Sequence, residues 1–255
     1  MPDEFLHKLF DQERLRAAIG ADALPGWAVA HYVGFRESML EPRDGEPFPC
    51  YFGVESERNG DALYTFCESM TDEGALSDLA DTLFEYVQVF EDFGERTSLV
   101  IFFKPPDVPL TEAEYRQRFW GILQYLHDHD PEPWPYDMPT DPTDPYWEFC
   151  FAGEPMFPTA RAPFYEQRRS RYTAHGLEIT AQPRAIFAGI TGDTAAGKEA
   201  RRVIRERIEA YDGMCPHADL GDWGDSHTRE WKQYLLPEQT DDTLSTCPLQ
   251  ITALR

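Results

Sequence analysis

Apolar residues recur at helical spacing in five stretches, roughly 3–19, 27–40, 73–93, 111–129 and 194–211, which a 3.6-residue period reads as amphipathic helices. The third opens on Thr71-Asp72 and sets Leu76, Leu79, Leu83, Val87 and Phe90 on one stripe, a cap followed by a face to be buried. The fourth begins at Thr111 with Glu114 three residues on, the spacing of a capping box. Between these stretches, short apolar or alternating runs predict strands at 50–57 (CYFGVESE), 62–69 (ALYTFCES), 98–104 (SLVIFFK), 147–153 (WEFCFAG) and 183–190 (PRAIFAGI). The Asn59-Gly60 pair between the first two suits a tight hairpin. SLVIFFK is apolar throughout, as a strand covered on both faces should be.

A hairpin combined with strand–helix alternation predicts an α+β fold, a central mixed β-sheet with helices packed on it, in a single domain over 1–255. Proline punctuates 131–145, yet the stretch carries Trp134, Tyr136 and Met138. That is too much apolar area for a flexible linker, so a packed, rigid loop is expected.

The chain has 255 residues, 42% of them hydrophobic, enough to bury a core without disulfide or metal staples. Its 23 basic and 46 acidic side chains give a net charge of −23. Nucleic acid and anionic membrane surfaces are disfavoured partners, because both require cationic groups to neutralise phosphate. A small cationic substrate is attracted by the same field. The cysteines, at 50, 67, 150, 215 and 247, are odd in number and widely spaced. The N-terminus has no basic region followed by an apolar one, and no run of about 18 apolar residues occurs. The expected location is a reducing cytoplasm.

Gly192-Asp-Thr-Ala-Ala-Gly197-Lys198 matches a phosphate-cradling loop placed between an apolar run and a helix. Glu199 then stands where that loop needs a hydroxyl for magnesium, so a nucleotide-binding enzyme is a subordinate reading. His127 and His129, two residues apart near a helix end, point to different faces and do not share a metal. Cys215 and His217 lack the paired spacing of a structural zinc site. His217 sits in a loop followed by Trp223, His227, Trp231 and Tyr234. An imidazole among large flat side chains suits an axial position on haem iron, with Asp219 or Asp222 as its orienting partner. A buried structural histidine is the competing interpretation. Arg168-Arg169-Ser170-Arg171 is the densest basic patch and can bind carboxylates in bidentate fashion.

Taken in order, Phe48-Pro49-Cys50-Tyr51-Phe52-Gly53, the segment 126–157, YEQRRSRY at 165–172, Gln182-Pro183-Arg184-Ala185-Ile186-Phe187 and Arg229-Glu230-Trp231-Lys232-Gln233-Tyr234 resemble the YqcI/YcgG family over roughly 48–236. The family is similar to haem-dependent N-hydroxylases of guanidino nitrogens. The resemblance therefore implies a b-type haem, dioxygen activation with an external electron donor, and a small guanidine or amine as substrate. On this basis His217 is the first choice of axial ligand, His227 the second, and the Cys50 thiolate a third. Arg169, Arg171 or Lys232 would pair with the haem propionates, and Trp231 would lie against the cofactor. Glu148 or Asp144 would receive the cationic substrate, with Trp147 and Phe149 walling the pocket, because a carboxylate beside aromatics binds a guanidinium well. A haem sensor or carrier without turnover is the alternative.

Overall fold

The computed structural model describes residues 8–240 and 242–251. The expected first helix begins in part outside them, since 3–7 are not among the described residues. Within them it becomes α1, Gln12–Gly20, whose start is fixed by the Asp11 carboxylate accepting from the Arg14 amide at 2.7 Å. Next come α2 (Gly26–Leu40), α3 (Tyr51–Asn59), β1 (Ala62–Cys67), α4 (Glu73–Val89), β2 (Ser98–Phe103), α5 (Glu112–Asp128), β3 (Phe149–Phe151), β4 (Glu154–Arg161), β5 (Glu178–Pro183) and α6 (Ala195–Asp212). Asp72 caps α4 and the expected Thr111–Glu114 capping box opens α5.

The five strands make one mixed sheet in the order β1-β2-β5-β4-β3, parallel between β1 and β2 and antiparallel elsewhere. The α+β architecture and the central sheet thus follow the sequence reading. Strand alternation divides the interior. Leu63, Leu99, Ile101, Phe103 and Ile179 face the larger core with α4 and α5, while Tyr64, Phe66, Val100 and Phe102 face a second core with α1 and α2. The proline-rich loop is packed: Trp134 and Met138 are buried, and the Trp134 indole donates to the Met138 carbonyl at 3.1 Å. Among the described residues no helix is long and apolar enough to cross a membrane.

Three local expectations are corrected. Residues 50–57 form helix α3 instead of a strand, and Asn59-Gly60 ends it instead of turning a hairpin. Gly60 sits in the left-handed region at φ 79° as the helix C-cap, its amide donating to Ser56, a use of glycine that competes with the hairpin turn for the same dipeptide. The strand expected at 183–190 ends at Pro183, where a 3-10 turn, Arg184–Phe187, begins. Proline has no amide to donate to a ladder. The strands actually present are Glu178–Pro183, where Glu178, Thr180 and Gln182 alternate with apolar residues as in a half-buried strand, and its partner β4, whose Pro155 and Pro158 interrupt the strand signal.

Candidate functional site

The face of β4 and β5 that continues the α1–α2 core does not meet a core. Thr159, Thr180 and Gln182 point there, joined by Ser98 and Phe157, and they floor a cavity of about 300 Å³. Helix α3 forms one wall through Cys50, Gly53 and Ser56, and α6 another through Ala200, Ile204 and Ile208, one residue per turn. Ile204 and Ile208 remain only half-buried, so the apolar stripe of α6 is aimed at open space. Apolar walls with a few placed polar groups are what a small-molecule site requires.

Cys50 is the N-cap residue of α3. Burial pushes its thiol pKa up, while the Gly53 and Phe52 amides at the helix start and the charges of Arg171 and Arg207 oppose that rise. Helix-start amides and nearby cations are the surroundings that favour a thiolate. One turn on, a Cβ at Gly53 would meet nothing but the Cys50 side chain, its sulfur 3.7 Å away. Glycine here is demanded neither by packing nor by a left-handed backbone, and its effect is to leave the helix face flat beside the thiol.

Six arginines also reach the cavity. Arg161 is neutralised by Glu178 at 3.0 Å and Arg201 by Asp222. Arg184 donates to Glu148 through Nε at 2.7 Å and again through Nη2, which also reaches Glu230. Arg96, Arg171 and Arg205 have no carboxylate partner within ion-pair distance among the described residues. Their hydrogen bonds go to the carbonyls of Ile186, of Ala160 and Gln233, and of Leu220. In a chain of net charge −23, guanidiniums that line a cavity without a carboxylate partner mark a place for anionic groups.

Of the residues selected from sequence as ligands, propionate partners or substrate contacts, Arg171 and Cys50 line this cavity, as does Trp223 from the aromatic run after His217. His217 is buried elsewhere, with Nε2 2.9 Å from the Asp242 carbonyl and Nδ1 3.1 Å from the Asp219 amide. Both ring nitrogens are occupied within the fold, which is the arrangement of a structural histidine. His227 is exposed. Arg169 pairs with Asp44 at 2.7 Å, and Lys232 reaches Thr243 Oγ1 at 3.1 Å and Asp219 at 3.8 Å. Trp231 donates to the Pro142 carbonyl and packs edge-on to Trp120, while Trp147 stacks on Trp134 and Phe149 is buried beside them, all in the larger core. Asp144 accepts from the Tyr146 amide at 2.8 Å in its own loop. Glu148 does receive a guanidinium, but it is the chain's own Arg184. Its carboxylate is fully buried and does not line the cavity.

The glycine-rich loop is not a phosphate cradle. A Cβ at Gly197 would lie 2.1 Å from the Thr191 carbonyl, so this glycine serves the close approach of helix to turn. The Thr194 hydroxyl already accepts from the Gly197 amide, the Asp222 carboxylate abuts Gly192, and Glu199 is engaged by Arg202. Cys215 is exposed, and among the described residues no group of three or more His, Cys, Asp or Glu side chains is placed to hold a metal ion.

A five-stranded α+β sheet with one half of a face hollowed into an arginine-walled cavity therefore defines the class. The chain belongs to the YqcI/YcgG family, whose model matches residues 35–250. It is similar to the uncharacterised protein YcgG of Bacillus subtilis (strain 168), 36% identical over 231 residues covering 89% of each chain. It is also similar to "Putative N(omega)-hydroxy-L-arginine synthase DcsA" of Streptomyces lavendulae, 32% identical over 247 residues covering 94% of this chain and 89% of the other. No solved structure matches.

Proposed function

We propose that the protein is a haem-dependent N-oxygenase of a small guanidino or amino compound, with Cys50 as the iron ligand. The carrying observation is the Cys50 thiol, set at a helix start on the wall of a 300 Å³ cavity. Three features suit the cofactor: the open helix face at Gly53, the apolar stripe of α6, and the unpaired guanidiniums of Arg96, Arg171 and Arg205. A propionate is a carboxylate, and guanidinium binds it in bidentate fashion. The similarity to a protein named as a hydroxyarginine synthase supports the substrate class.

When bound, haem would supply the iron at which dioxygen is reduced, one oxygen atom entering the new N–O bond and the other leaving as water, with two electrons from an external donor and two protons from solvent. The chain's own residues do the rest. Cys50 would hold the iron through its thiolate sulfur, a ligand whose electron density would favour oxygen activation. Phe157, Phe187 and the α6 isoleucines give the cavity apolar walls, which with the cofactor in place would limit water and strengthen charged contacts inside.

The test is the visible spectrum of protein expressed with a haem precursor. Cys50→Ala is expected to lose the Soret band on gel filtration, and the ferrous carbon monoxide complex of the parent protein to show the red-shifted band of a thiolate ligand. His217→Gln is expected to keep the band. Colour that survives Cys50→Ala and vanishes with His217→Gln would return the ligand to His217.

A further inference from the structure

Two carboxylates line the cavity, Glu57 and Glu230, and they differ in how their charge is met. Glu57 accepts from Gln12 at 3.0 Å, from Arg36 at 3.1 Å and from the Tyr64 hydroxyl, so it has a guanidinium of its own. Glu230 does not. Its partner Arg184 already donates twice to Glu148, and the next guanidinium, Arg201, is engaged by Asp222. Three carboxylates, of Glu148, Glu230 and Asp222, thus share two guanidiniums, of Arg184 and Arg201. Arg205, one turn further along α6, donates to the Leu220 carbonyl and ion-pairs with none of the three.

Burial raises the carboxyls of both Glu148 and Glu230, so the pair holds a proton in place of a second cation, and Glu230 is its member that borders the cavity. A buried carboxylate without full compensation is costly, so a cation arriving there is strongly held. Beside Glu230 the wall is made by the Trp223 and Phe187 rings, which already carry the Arg184 guanidinium at 5.1 Å from each ring centroid. Aromatic faces beside a carboxylate are the chemistry that recognises a guanidinium or ammonium group. The opposite polarity, three unpaired guanidiniums, is presented by Arg96, Arg171 and Arg205. One cavity thus presents both a carboxylate and guanidiniums without a carboxylate partner.

We infer that Glu230, held in place by Arg184, which Glu148 in turn anchors, is the residue that receives the cationic group of the substrate and sets the preference for a charged over a neutral head. The inference rests on the substrate class proposed above, and its test is independent of turnover. Binding to the haem-loaded protein is measured by calorimetry with L-arginine and with L-citrulline, which has nearly the same shape and no charge on its head group. The parent protein is expected to prefer arginine. Glu230→Gln leaves Arg184 balanced by Glu148 alone and is expected to weaken arginine binding about tenfold or more, the scale of one charge-assisted pair, and to abolish the preference. Its Soret band should be unchanged, and Glu230→Asp should restore the preference.

A Glu230→Gln protein that keeps its colour and still prefers arginine overturns the inference and leaves the proposed haem chemistry standing. Failure of the parent protein to take up haem would instead strike the proposed function. Should Glu230→Gln not fold, Trp223→Leu, in the loop beside it, supplies the second test. A selective loss of arginine affinity supports the assignment, and equal affinities for both compounds before and after substitution refute it.

Discussion

One face of one sheet is built in two ways. Under α1 and α2, β1 and β2 present Tyr64, Phe66, Val100 and Phe102, each at 0–1% exposure. These rings interlock, with Phe66 and Phe102 stacked at 5.3 Å and Phe35 edge-on to Phe102 at 5.6 Å. Along the same face, β4 and β5 present Thr159, Thr180 and Gln182 to a cavity. The register is continuous, Val100 pairing Thr180 and Thr180 pairing Thr159, so the change is chemical and not topological. It shows where the molecule spends burial on its own stability and where it leaves burial to a ligand.

The largest effect that would break this comparison is at Gly53. A Cβ there meets only the Cys50 side chain, on the cavity wall, and leucine improves helix propensity over glycine by up to about 1 kcal/mol. Gly53→Leu is expected to leave the melting temperature of the haem-free protein unchanged or raised, while haem uptake, followed by the Soret band, is abolished. A variant that takes up haem normally would mean that the hollow half is not where the cofactor lies.

Next in size is a pair of truncations. Phe102→Ala in the filled half should cost about 3–5 kcal/mol by urea denaturation, the usual range for emptying a buried phenylalanine site. Ile204→Ala in the hollow half removes a half-buried side chain with cavity on one side and should cost about 1 kcal/mol or less in the haem-free protein. Adding haem should widen the second value, because a ligand that binds only the native state stabilises it by mass action. Equal losses for the two variants without haem would show that the halves do not differ as described.

The same division governs what the sequence discloses. α4, α5 and β2 are legible because their apolar positions face a core, and Leu76, Leu79 and Leu83 or the run SLVIFFK carry that fact locally. β4, β5 and α3 are not, because the residues they turn toward the cavity are Thr159, Thr180, Gln182, Cys50 and Gly53, which have none of the pattern of a buried face. The site suffers the same loss. Cys50 was third among the ligands because a single cysteine has no spacing to judge. Arg184 and Glu230 stood inside the motifs of the family resemblance without a role, because the pairs that define them join residues 36 and 46 apart in the chain, and no local periodicity encodes such a contact. Glu148 does bind a guanidinium, but that of Arg184, 36 residues on in the chain.

The seam between the two halves offers the finest test. His31 lies on α2 with no exposure, its ring 5.3 Å from that of Phe102 on one side and its Nδ1 3.8 Å from Glu178 on the other, and Glu178 in turn holds Arg161 at the cavity. Neither ring nitrogen has a hydrogen-bond partner. Burial lowers its pKa from the ordinary 6.5 to about 3, the direction expected when the charged form loses water. Between those two values the unfolded chain binds a proton that the native protein does not. The stability His31 contributes is therefore complete above pH 6.5 and falls as the pH drops, by about 1.4 kcal/mol for each pH unit. Glu178 works in the opposite sense, since burial raises its carboxyl and such a shift costs stability as the pH rises. The informative quantity is accordingly the difference between the parent protein and His31→Leu, measured as urea midpoints from pH 7.5 down to pH 5. The variant should be less steeply destabilised by acid, with the gap opening below about pH 6.5. Parallel curves would mean that the seam admits water and that the filled half is less sealed than its rings imply.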